Sequence, residues 1–200
     1  MNPTRLIAGL TCLLIAWDGV SWAADTTELA AHRARLQMTE APERAAHVVA
    51  VLQQLKSRPK QSGRAEMANV TVVGQIGGMP NPWADTHPDF PWFAGQGSFF
   101  LIDSKVAAQF ATHAKHHGGD HNCAFCRSLA AKNAHAVAVV NLVDDAGKII
   151  RIDSRELLGL QEGQTVTVHG RAELLGGTML IVHAEGVYAG DSRVARNPAQ

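Results

Sequence analysis

The chain has 200 residues, 46% of them apolar, and its 18 basic and 18 acidic residues cancel at neutral pH. That length suits one domain of ordinary size plus an accessory segment. The neutral balance excludes the overall basic excess with which nucleic-acid binders neutralise phosphates, although local basic patches remain open.

At the amino terminus, Arg5, a nearly unbroken apolar run over residues 6 to 17 and the small-x-small triplet Ser21-Trp-Ala23 have the layout of a signal peptide cleaved after Ala23. The run is too short for a permanent membrane span, and no later stretch approaches the roughly 20 apolar residues that one requires. An exported protein, periplasmic or secreted and without a transmembrane segment, is expected. Cys12 leaves with the leader, so the mature chain keeps Cys123 and Cys126. Arg5 and Asp18 leave together, and the mature charge stays balanced.

Residues 24–56 read as a helical hairpin. Asp25-Thr-Thr-Glu28 resembles a capping box and opens a helical stretch to about Met38. Pro42 fits the first turn of a second helix, on which Ala45, Val48, Val49, Leu52 and Leu55 recur at the spacing of one apolar face. The hairpin is expected to pack on the main domain, the alternative being an element that docks a protein partner. Residues 57–68 are polar and interrupted by Pro59 and Gly63, which marks a linker.

From Val70 the periodicity becomes that of strands: residues 70–76, 97–103 and 136–143, then a turn at Asp144-Asp-Ala-Gly147 leading into Lys148-Ile-Ile-Arg-Ile152. A short helix is expected at residues 154–160 with Ser154 as its cap. Residues 165–175 and 178–188 flank Gly176-Gly177, a strong hairpin signal. Five principal strands with one short helix before the last two predict a mainly β domain with some α, a five-stranded barrel over residues 69–190 preceded by the helical hairpin. Residues 191–200 read as a flexible tail.

That order, with Val166-Thr-Val-His-Gly-Arg-Ala followed by Met179-Leu-Ile-Val-His-Ala-Glu-Gly-Val-Tyr188, resembles the final strands of OB-fold barrels over about residues 68 to 190. The His-rich segment and its C-x-F-C motif are similar to those of poorly characterised exported bacterial proteins that insert such a segment between the second and third barrel strands. The resemblance implies a fold and a location. OB-folds serve oligonucleotides, oligosaccharides, proteins and structural roles alike, so function must come from the site.

The insertion, residues 104–133, carries the densest chemistry. Residues 113–126 read His-Ala-Lys-His-His-Gly-Gly-Asp-His-Asn-Cys-Ala-Phe-Cys, which gathers four of the ten histidines with both mature cysteines. Imidazole and thiolate are the ligands that zinc and copper prefer, and a C-x2-C pair grips one ion from a single tight turn. A helix over residues 104–117 places His113 one turn before His116 and His117. Gly118-Gly119 lets the chain reverse, so that His121, Cys123 and Cys126 can approach the same point. Cys126 is expected to begin a second helix whose amide end favours thiolate. The preferred ligand set is His117, His121, Cys123 and Cys126, with His113 and His116 as substitutes. Zinc would staple the insertion to the barrel, whereas copper would suit a metal-handling role.

Two rival readings use the same region and the loop before it. C-x2-C at a helix start also serves thiol-disulfide exchange, and an exported compartment can oxidise the pair to a structural disulfide. The βαβ context of thioredoxin-like enzymes is missing, and Arg127 stands where haem attachment needs histidine. Residues 79–93 hold four prolines together with Trp83, Phe90, Trp92 and Phe93, an aromatic set that could stack sugars or bases. Without a basic residue between Arg64 and Lys105 to hold a phosphate backbone, the loop is expected instead to plug one end of the barrel. His87, His169 and His183 receive no role, and no pair of carboxylates is set up as acid and base. The sequence therefore favours a binding protein over an enzyme.

Overall fold

In a computed structural model, residues 21–58, 67–116 and 124–190 are described, with backbone alone for 21–25 and 114–116. The expected leader, most of the linker (residues 59–66), the centre of the His/Cys window (residues 117–123) and the tail lie wholly or largely outside the described residues.

Helix α1 (Ser21–Leu36) leads through a short β1 (Ala46–His47) into α2 (Val48–Lys56). Strands β2 (Ala68–Ile76) and β3 (Ser98–Ile102) precede helices α3 (Ser104–His116) and α4 (Ala124–Lys132). After β4 (Val137–Leu142) come a short α5 (Ser154–Leu158), β5 (Thr165–Leu175) and β6 (Met179–Ala189). The sheet runs β1-β2-β3-β4-β6-β5, and β2 pairs with β5 to close β2 to β6 into a five-stranded barrel. β4 and β6 are parallel, while the other barrel pairs are antiparallel. This is the expected OB-like barrel, mainly β with some α.

The strand sequences follow from what covers each face. β2, β5 and β6 alternate, and their inward residues, among them Val72, Val166, Val168, Leu180 and Val182, fill the main core. On β6 the inward positions pass from Ala184 to Val187, because a bulge opposite His169 and Gly170 adds one residue. Gly170 is required there: a Cβ would stand 2.1 Å from the His183 carbonyl oxygen. β3 and most of β4 are buried on both faces, so they read as continuous apolar runs. Phe99 and Leu101 enter the main core, while Phe100 and Ile102 join a second core outside the barrel, with Met79, Val106, Ala107, Phe110 and Ala130.

Helices close both ends of the barrel. α2 inserts Val48, Val51 and Leu52 into the main core at the end where β4 begins. Leu157 of α5, with Leu160, is buried in the same core from the far side. α1 docks on β6 and α5: Arg33 Nε and Nη2 donate to the carbonyls of Leu157 and Glu156, each at 2.9 Å, and Arg35 donates to the Val143 carbonyl. The two amino-terminal helices thus precede the barrel as expected, but each takes its main contacts from a different part of it.

Local expectations are corrected at four points. Asp25 to Glu28 lie inside α1 and not at its start. The chain from Pro42 is not yet helical, because Ala46 and His47 pair in parallel with Val72 and Val73 of β2. Residues 148–152 make a single bridge, Ile149 to Val143, in place of a strand. The cap of α5 is Asp153, which accepts from the Arg155 N–H at 2.9 Å, while Ser154 is buried and donates to the Ser98 carbonyl at 3.1 Å. The Asp153 carboxyl is held below its ordinary value, chiefly by the hydrogen bond from the Arg155 side chain, against an opposing effect of burial. Among the described residues, no helix is long and apolar enough to cross a membrane.

Candidate metal centre

The insertion is anchored before its histidines begin. Val106, Ala107 and Phe110 share one face of α3, and all three are buried against Phe100 and Ile102 of β3. His113 follows Phe110 by one turn, at the end of that buried stripe, and is half-buried. On α4, Cys126 and Ala130 are four residues apart and both buried, with Cys126 only 4% exposed. The inner faces of the two helices therefore carry one candidate ligand each.

The ends of the helices meet. The His113 ring lies 5.8 Å from the ring of Phe125, tilted by 58°, and Phe125 is the third residue of the C-x2-C motif. Phe125 itself is 59% exposed. Cys126 is the third residue of α4, within its first turn, because the helix starts at Ala124, two residues earlier than expected. Of the sequence-based ligand set, His113 and Cys126 have described side chains. His116 ends α3 but its side chain, with all of His117, His121 and Cys123, lies outside the described residues. Among the described residues alone, no three His, Cys, Asp or Glu side chains form a metal-holding group.

Asp103 is the residue whose importance the sequence conceals. It is 3% exposed, and its carboxylate accepts from Lys105 N–H at 3.0 Å and from Val49 N–H at 3.1 Å. One side chain thereby caps α3, which carries His113, and also α2, whose own cap residue His47 makes no side-chain cap bond. An Asp before a helix is a readable cap signal. Its second partner, 54 residues away, is not.

Of the four rings expected to plug the barrel, Trp92 enters its core and the other three cover its wall. Trp83, Phe90 and Phe93 surround Phe100 on the outer face of β3, with centroid separations of 5.2, 5.0 and 4.7 Å, and His87 meets the same ring edge-on at 5.6 Å. Asn81 ties the loop, accepting from Trp83 N–H at 2.8 Å and donating to the His87 carbonyl at 2.7 Å. Trp92 is buried in the main core beside Phe99, with the Arg155 guanidinium over its ring. The half-buried rings therefore direct faces to Phe100, and the loop shares its packing surface with α3 and α4. His169 and His183 each meet one partner on the outer face, Thr71 Oγ1 at 3.1 Å and Glu173 Oε1 at 3.2 Å.

In comparisons with known proteins, no family model matches the chain and no curated protein is significantly similar to it.

Proposed function

We propose that the protein is an exported binding protein that holds one zinc or copper ion in the His/Cys insertion on its OB-like barrel. The observation that carries this reading is the meeting of His113 with Phe125, which sets the end of the histidine-bearing helix against the C-x2-C segment. Its anchorage adds to that: the bases of both helices are packed on β3, and a ligand cluster between their ends would not have to order the whole insertion by itself. The ligands would come from His113, His116, His117, His121, Cys123 and Cys126. Four of these would satisfy a closed tetrahedral zinc site, while thiolate with spare imidazoles would equally serve copper.

Anaerobic titration of the reduced protein with Co(II), a spectroscopic substitute for zinc, tests the ligand set. The expected result is a near-ultraviolet thiolate-to-cobalt band that saturates at about one equivalent and is lost when Cys123→Ser and Cys126→Ser are combined. Saturation with no thiolate band would remove the cysteines from the site. No binding at all would refute the reading.

A further inference from the structure

The insertion leaves and rejoins the barrel between two paired strands, since Ile102 of β3 stands opposite Val137 of β4. Its neck is closed by Asp103 N–H, which donates to the Ala136 carbonyl at 2.9 Å. The start of α2 is built into the same neck. Val49 N–H donates to the Asp103 carboxylate at 3.1 Å, and α2 lies against Ala134–Ala136, where the insertion returns to the barrel. Among the described residues, no other side chain accepts from the start of α2. The preceding His47 caps nothing, and its ring Nδ1 is buried without a hydrogen-bond partner. A helix-start N–H of α2 is therefore satisfied by the insertion's first residue.

Packing repeats the arrangement. Val48, Val51 and Leu52 of α2 enter the barrel core, whereas Val49 packs on the second core, whose members include Val106, Ala107 and Phe110 of α3 and Ala130 of α4. α2 is thus a wedge with one face in the barrel mouth and the other in the base of the insertion. α1 is placed differently, with its main contacts on β6 and α5.

We infer that the insertion and α2 open and close as one unit, so that an ion held between α3 and α4 also holds α2 on the barrel mouth, and its release loosens α2. The shared unit rests on the neck, and the ion as its trigger rests on the metal reading. Opening the neck withdraws the acceptor from Val49 and the second core from its side chain together. A ligand that favours the closed insertion therefore lowers the open population of α2, and a change that frees α2 weakens the hold on the ion.

Hydrogen exchange on the full chain, reduced and metal-free, tests the shared unit. The amides of Val49, Leu52 and Phe110 should report one opening equilibrium, larger by about tenfold or more than that of Val168, which is fully buried in the barrel. Ala130→Gly removes one methyl from the second core on α4. All three amides should then exchange about fivefold faster, while Arg33 on α1 keeps its native rate. Zn(II) at about 100 times its dissociation constant should slow the same three by about tenfold or more and again leave Arg33 unchanged. The inference is overturned if Val49 and Leu52 ignore the Ala130 change while Phe110 quickens, or if they open only together with Val168. If Zn(II) binds and Val49 and Leu52 keep their rates, the link to the ion is refuted and the metal reading stands. If no Zn(II) binds, the metal reading fails instead, and the Ala130→Gly comparison decides whether the insertion and α2 move together.

Discussion

Replacing Asp103 tests whether a single buried carboxylate holds the base of the insertion. In Asp103→Ala the N–H groups of Val49 and Lys105 both lose their acceptor at a site almost closed to water. A lost helix cap costs about 1 kcal/mol, and a hydrogen bond to a charged group is worth about 1.5–3 kcal/mol. Two such bonds at one buried position therefore predict a loss of about 2–4 kcal/mol. Asp103→Asn keeps one carboxamide oxygen, which can serve one of the two N–H groups while the new amide hydrogens face the other. It should lose about half as much, about 1–2 kcal/mol. Urea denaturation read at constant m-value measures both. Hydrogen exchange at Val49 should quicken in the alanine variant, because the start of α2 is then uncapped. An alanine variant within about 0.5 kcal/mol of the native protein, or equal losses for alanine and asparagine, would refute the double-cap reasoning.

Phe100→Ala should cost about 3–5 kcal/mol and shift Trp83 emission to the red, because the hub of the outer core is removed; an unchanged emission maximum would contradict that packing. Gly170→Ala should destabilise by about 2 kcal/mol or more in thermal melts, since its Cβ would meet the His183 carbonyl oxygen; a neutral result would contradict the bulge geometry. The Asp153 carboxyl titrates below its unfolded value, so its charge contributes stability that is fully present above the ordinary carboxylate range and lost as pH falls through the depressed folded value. Asp153→Asn retains a capping side chain but not the charge. Between about pH 5 and about pH 3 it should lose less stability than the native protein, and equal acid limbs would contradict the assignment.

The barrel was legible because its signals are local. Alternation along residues 165–175 and the Gly176-Gly177 turn define the β5–β6 hairpin, and the unbroken apolar runs of β3 and β4 reflect cover on both faces. The Ile149 segment misleads for the opposite reason: its apolar residues read as a strand, but only Ile149 bridges back to Val143 before the chain bends at Arg151. Ala46 and His47 carry no strand pattern of their own, and their pairing is set by the neighbouring β2. The aromatic loop shows how composition fails to choose a surface. Its rings are plainly apolar, yet whether they enter the barrel or cover its wall depends on Phe100 pointing outward while Phe99 points in. At the candidate metal centre the residue types and the presence of two helices, one carrying His113 and one carrying Cys126, were readable. The turn of α4 that puts Cys126 on the buried face beside Ala130 was not, because it depends on a helix start two residues earlier than the spacing suggested.

The most direct test of the metal reading is elemental analysis with parallel thiol titration on the protein purified without a histidine tag. About one equivalent of zinc or copper is expected, lost when Cys123→Ser and Cys126→Ser are combined. No bound metal after anaerobic reconstitution, with the two cysteines found joined in a disulfide, would contradict it and leave a disulfide-stapled insertion in place of a metal site.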